Sequence, residues 1–209
     1  MKKYIALAAC ALLAAAPVSA ATLIVDSGGI LTGATGVDVG GTLYDVEFLD
    51  GSCASVFGGC DSLSDFDFTS ANVGLATTAL TNQVFNQTVD GVNYDTAYGL
   101  TRGCSVNSTG FCAAAIPHTL TSDTSFSGGT AHNYGLESAD TTYLIGISVL
   151  RTSDVEQLAY VTFANFTLSS AATGAVPEPA TWAMMLMGFG AMGVALRRRR
   201  KSMTFAQPA

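Results

Sequence analysis

Two uncharged apolar blocks, one at each end of the chain, leave only the segment between them to build a water-soluble core. The 209 residues have a mean hydropathy of +0.38. Much of that apolarity lies in Tyr4 to Ala16 and Thr181 to Leu196. Such terminal segments are set aside before a fold is argued. What remains, residues 21–168, is long enough for one modest domain.

The first block has the grammar of a secretory signal peptide over residues 1–20. Lys2 and Lys3 form its basic start, Tyr4 to Ala16 its apolar body, and Pro17-Val18-Ser19-Ala20 its small-residue end. Val18 and Ala20 stand where a signal peptidase reads, so cleavage is expected between Ala20 and Ala21. Thirteen apolar residues fall short of the ~20 that a membrane span needs. Leu7-Ala8-Ala9-Cys10 resembles a lipobox, but the apolar run before Cys10 is too short and continues past it.

Between the ends, charge is one-sided. Residues 21–176 hold fifteen of the sixteen acidic side chains against Arg102 and Arg151, a formal charge of −13. A surface that repels phosphate excludes nucleic acid as a partner. The same charge keeps an exported protein soluble.

The second block is read with its flanks. Thr181 to Leu196 is sixteen residues without a charge, about 24 Å as a helix at ~1.5 Å per residue. Trp182 at one end and Arg197, Arg198, Arg199 and Arg200 at the other extend its reach toward a ~30 Å hydrocarbon core. The cations, with Lys201, mark the cytoplasmic side and put the domain outside. Ahead of the span, Pro177-Glu178-Pro179 sets two helix-excluding residues around a carboxylate. The chain there is held extended, as a processing enzyme at the membrane would need it. Gly188-Phe189-Gly190-Ala191-Met192-Gly193 fits the G-x-G-x-x-G pattern, but lies inside the span, where small residues serve helix packing.

The order PEP, Trp182-Ala183, Gly-bearing apolar span and arginine cluster resembles the PEP-CTERM sorting domain in its PEPxxWA form. The resemblance covers the C-terminal tail alone. It implies recognition by an exosortase, a membrane enzyme of Gram-negative bacteria that make exopolysaccharide. It further implies Pro177, Glu178, Pro179 and Trp182 as recognition residues, with cleavage near them. On this reading residues 169–176 are a linker, 177–201 the sorting signal with a transmembrane helix at 181–196, and 202–209 a short cytoplasmic tail. The protein is exported through the inner membrane, transiently anchored, and finally at the cell surface or outside the cell.

Within residues 21–168 alternation dominates, and an α+β fold is expected: a β-rich domain, or a sandwich, with one helix. Thr42 to Phe48 sets Leu43, Asp45 and Glu47 on one face and Tyr44, Val46 and Phe48 on the other. Tyr143 to Leu150 and Leu158 to Leu168 read as strands joined by a hairpin-like Arg151 to Gln157. The glycines from Gly28 to Gly41 suggest short strands and tight turns. Ser70 to Asn86 carries Val73, Ala76, Leu80 and Val84 at helical spacing, with Ser70 as N-cap.

Four cysteines survive signal removal, and proximity pairs them as Cys53–Cys60 and Cys104–Cys112. The rival arrangement is a metal site of Cys104, Cys112, His118 and His132, but no Cys-x-x-Cys spacing supports it. Asp61, Asp65 and Asp67 could hold calcium, yet lack the glycine and final glutamate of an EF-hand loop. Asp65-Phe66-Asp67-Phe68 reads instead as a strand edge with Phe inward. His118 and His132 sit in loop-like sequence, and no Gly-x-Ser-x-Gly elbow appears. No cofactor, metal or catalytic set is expected. Two function classes follow: a non-catalytic surface or matrix protein that adheres to extracellular polysaccharide, and a polysaccharide-acting enzyme built on paired carboxylates.

Overall fold

The computed structural model describes residues 20–106, 108–135, 139–170 and 188–189. The chain divides after Ser169 into two units, and the first holds the folded domain. The expected transmembrane helix at 181–196 falls outside the described residues except for Gly188 and Phe189. Among the described residues no helix is long and apolar enough to cross a membrane. The signal peptide, Ala20 apart, and the PEP segment also lie outside them.

Seven strands build the domain's main sheet. They are β1 (Thr22–Val25), β2 (Leu31–Val39), β3 (Thr42–Leu49), β6 (Phe111–Ser122), β7 (Ser125–Tyr134), β8 (Thr141–Leu150) and β9 (Val161–Leu168). They lie in the order β1-β2-β3-β9-β6-β7-β8, as one curled sheet. Between β3 and β6 come the short helix α1 (Cys53–Val56), helix α2 (Val73–Leu80) and a small hairpin of β4 (Thr88–Val89) and β5 (Val92–Asn93). The fold is therefore β-rich with a small helical part. One large sheet carries it, so the sandwich alternative does not hold.

Strand β9 joins two antiparallel meanders. It pairs antiparallel with β3 from Tyr44↔Leu168 to Leu49↔Phe163, and parallel with β6 over Ala113↔Val161 to Ala115↔Phe163. Past Ala115, β6 stays with β7 while β9 stays with β3. Pro117, which has no N–H to offer, follows at a register shift against β7. The two halves of the sheet diverge from that point.

Residues 151–157 do not close a hairpin, because β8 and β9 are separated by β7 and β6. They begin a crossover laid on the sheet face. Its backbone is tied to the loop around α1 by Ala54 N–H to Arg151 O at 2.9 Å and Val155 N–H to Gly51 O at 3.0 Å. Two separated strands with a polar connection look alike in sequence whether they pair with each other or with third strands.

The opposite faces of the sheet have separate cores. On one face Ala114, Ile116, Ala131, Ala164 and Phe166 pack with Val37, Val46 and Phe48 against α2 and its extension. On the other Ala113, Ala115, Phe126, Val161 and Phe163 pack under Cys53, Phe57, Cys60, Phe66 and Val155. Burial on both sides accounts for the continuous run Cys112–His118, which shows no alternation.

The expected helix forms, with a different start and end. Val73, Ala76, Ala79, Leu80, Val84 and Phe85 are all buried. The α-helix ends at Leu80 and continues as a π turn over Thr81–Phe85. The wider turn lets both Val84 and Phe85 reach the core, where Phe85 stacks on Phe48 at 5.7 Å. Gly129 brings α2 close to the sheet, since a Cβ there would lie 2.9 Å from Val73 Cγ2. The N-cap is Asn72, not Ser70. Ser70 is engaged elsewhere: its Oγ lies 3.1 Å from His118 Nδ1.

In the opening, Gly28-Gly29 and Gly40-Gly41 are turns, but Gly33 and Gly36 lie inside the nine-residue strand β2. Gly36 takes φ +71° at a bulge, and its N–H is met by Asp45 Oδ1 at 3.1 Å. One long bulged strand stands where short ones are expected.

Candidate functional site

Both disulfides form as paired by proximity, Cys53–Cys60 and Cys104–Cys112. The first pins the loop that carries Phe57 over the sheet. The two histidines of the rival metal site lie on opposite faces, because Ile116 and His118 follow the face of α2 while His132 is paired with Ala113. Among the described residues no group of three or more His, Cys, Asp or Glu side chains is gathered to hold a metal.

The aspartates of residues 61–67 serve separate ends. Asp61 pairs with Arg151 at 3.4 Å. Asp65 Oδ2 accepts the N–H groups of Asp61 and Ser62 and so caps a 3-10 turn over Leu63–Asp65. Asp67 lies on the exposed side, and the protein packed around its carboxyl partly desolvates it and raises its pKa. The segment is not a strand edge, although Phe66 and Phe68 are both buried. They enter different cores, Phe66 the disulfide side and Phe68 the helix side.

Neither histidine is in a loop. His118 lies on β6, 5% exposed. Its Nε2 lies 2.9 Å from Leu144 O. A carbonyl oxygen only accepts, so Nε2 carries the proton and Nδ1 accepts from Ser70. This histidine ties β6 to β8 and to the approach of α2. It is a structural residue.

His132 belongs to a row of rings. Cross-strand pairs Phe111↔Tyr134, Ala113↔His132, Thr130↔Tyr143 and His132↔Thr141 put these residues on one face of β6, β7 and β8. His132 stacks on Phe111 at 4.6 Å, and Tyr143 lies against it at 4.8 Å. Tyr134 and Tyr160 flank Phe111 at 5.4 and 5.8 Å. Phe111, His132, Tyr134 and Tyr160 are half-buried, whereas Tyr143 is 47% exposed. Polar groups run through the row: Thr130 Oγ1 meets His132 Nε2 at 3.0 Å, and Tyr134 Oη is 3.4 Å from His132 Nδ1. Burial lowers the His132 pKa, so the ring is neutral at pH 7.

Asp140 stands at the end of the row. Its Oδ1 accepts the Tyr134 N–H at 3.0 Å, while its buried Oδ2 has no hydrogen-bond partner among the described residues. Burial raises its pKa to about 6, with Asp95 adding to the rise and the Tyr134 N–H opposing it. Folded Asp140 thus keeps its proton to about pH 6, and the unfolded residue only to about 4. The carboxyl disfavours the folded state as pH rises through that window and fully above it. Asp140→Asn, which keeps the acceptor for Tyr134, is expected to match the wild type in urea unfolding at pH 4. At pH 7.5 it should be more stable, by about 1 kcal/mol once solvent screening of a half-exposed group is allowed for.

A second feature occupies the open, polar part of the same face. A cleft of about 560 Å³ is lined by Asp26, Asp45, Glu47, Arg102, Asn165 and Thr167, among others. Arg102 pairs with Glu47 at 3.3 Å across it. Nearby, partial burial of the Asp50 carboxyl raises its pKa, as do Glu156 and Asp154, against a lowering by Arg102.

The row was invisible as a site in sequence because Ala113 to Ala115 and Gly128-Gly129 disguise β6 and β7. The signal that could have found it is the alternation Thr130-x-His132-x-Tyr134 beside Thr141-x-Tyr143.

No curated protein and no solved structure matches this chain. One segment does match a known family: over residues 175–200 the chain carries the PEP-CTERM protein-sorting motif, the mark of an exported cell-surface or extracellular protein processed by an exosortase.

Proposed function

We propose that the domain is a non-catalytic adhesion module of the cell surface or extracellular matrix, holding polysaccharide on the aromatic row. In this reading an exosortase removes the tail near Pro177-Glu178-Pro179 after transient anchoring. The observation that supports it is the row itself, with Tyr143 47% exposed at its outer end and hydroxyls alongside. The C–H faces of a pyranose pack on aromatic rings while its hydroxyls take hydrogen bonds from the polar groups between them. A domain charge of −13 disfavours polyanions, so the expected ligand is a neutral polysaccharide.

Affinity electrophoresis of the mature protein in neutral polysaccharide gels tests this. Tyr143→Ala is expected to weaken retention about tenfold, the equivalent of ~1.4 kcal/mol, with unchanged thermal stability. Retention equal to the wild type would remove the row from consideration. A polysaccharide-acting enzyme is the second reading. It is favoured by Asp140, whose pKa of about 6 suits a general acid, but its Oδ2 is closed to solvent. Release of reducing ends by the wild type and its loss in Asp140→Asn would support that reading instead.

A further inference from the structure

The edge strand β1 stops short of its partner. It pairs with β2 from Val25↔Leu31 to Thr22↔Thr35, while β2 runs on to Val39. Extending that register upstream would bring residue 19 opposite Asp38. The backbone groups of Asp38 are already taken. Gln83 Oε1 accepts the Asp38 N–H at 2.9 Å, and Gln83 Nε2 donates to the Asp38 carbonyl at 2.8 Å. The side-chain amide mimics the neighbouring strand. One turn on, Gln87 Nε2 donates to the Ala21 carbonyl at 3.1 Å and also bonds Gln83 O. The π turn and its end therefore close the sheet edge at the level of Ala20 and Ala21. Ala21 is 4% exposed and belongs to the core, whereas Ala20 is exposed. Among the described residues Ala21 is the first that is buried, and it is the residue that the expected cleavage would place first.

A cleft of about 520 Å³ opens here, lined by Ala20, Ala21, Asp38, Asn82, Gln83 and Gln87 with Gly40 and Gly41. Asp38 is the one ionisable side chain among these residues, and its Oδ1 accepts the Gly41 N–H at 2.6 Å. We propose that this cleft is the seat of the mature N-terminus, the Ala21 ammonium lying in it with Asp38 as counter-charge. Hydrolysis of the Ala20–Ala21 peptide adds water across the bond. The Ala20 carbonyl leaves as a carboxylate and the Ala21 nitrogen takes up protons to become an ammonium. One neutral amide N–H is thereby replaced by three donors and a positive charge, among amide oxygens and a carboxylate. Signal removal completes the domain at this corner as well as releasing it.

The test uses the mature protein recovered after export. Its amines are few, since Lys201 is the one lysine beyond the signal peptide. The pH dependence of N-terminal acetylation, followed by peptide mass spectrometry, reads the α-amino pKa directly. An exposed α-amino group titrates at about 7.7–8.0. The seated one is expected about one unit higher, returning to the exposed range in Asp38→Asn, which keeps the acceptor for Gly41. Acetylated wild type should also melt at lower temperature than the free amine at pH 7, with no difference once the amine is neutral. An α-amino pKa in the ordinary range and indifferent to Asp38→Asn would overturn the proposal. So would a mature chain beginning at a residue other than Ala21. A folded Asp38→Asn protein is established by its melting curve, so a misfolded variant is not mistaken for either result.

Discussion

Replacing Pro177, Glu178 and Pro179 together with alanine is expected to leave the protein at full length in the membrane fraction, with almost none outside the cell. Proline fixes φ near −65° and disfavours helix at the preceding residue, so on the proposed reading the two prolines would keep the chain extended ahead of the anchoring segment. Alanine is the strongest helix former. On the proposed reading, the change would let a helix over Thr181 to Leu196 run back through residues 177–179 and hide the bond from the processing enzyme. The apolar run and the five cations Arg197 to Lys201 are untouched, so the proposed anchoring should persist. Mass spectrometry of the membrane-bound species should find the arginine-bearing tail intact. Normal amounts of tail-less protein outside the cell would show that the PEP residues are not what the processing enzyme reads.

Phe163→Ala is expected to destabilise the domain by about 3–5 kcal/mol, the range for a fully buried phenylalanine. The ring is 0% exposed on the central strand β9. It meets Phe57 edge-on at 5.5 Å and Phe126 at 6.0 Å. Its loss opens a cavity between the sheet and the loop closed by Cys53–Cys60, whose seven-residue separation makes that bridge worth ~2.5 kcal/mol by loop entropy. The two act on one contact, so removing the bridge by Cys53→Ser with Cys60→Ser, leaving Cys104–Cys112 intact, should cost less in Phe163→Ala than in the wild type. Guanidinium unfolding of the four species measures this. A cost below 1 kcal/mol for the alanine variant would mean that the second core is not closed over β9.

Signals confined to contiguous residues are legible in the amino-acid sequence itself. The sorting motif at residues 175–200 shows itself because it is written in residues that follow one another in the chain. The two disulfides follow because seven or eight residues can close on themselves whatever the surrounding fold. Helix α2 shows itself by its spacing, and β3 by its alternation, since each buries one face only. The strands β6 and β7 escape for the opposite reason. They are buried on both faces by partners from distant sequence, and their small residues suit close packing instead of period two.

The sorting signal, the charge and the local bridges were therefore settled by the sequence alone, each through interactions between near neighbours. Only the tertiary structure decided that β9 enters between β3 and β6, that His118 ties strands together, and that Phe111, His132 and Tyr143 form one surface. Those outcomes depend on pairing register between segments far apart in the chain, where one residue of slip would send every ring to the other face.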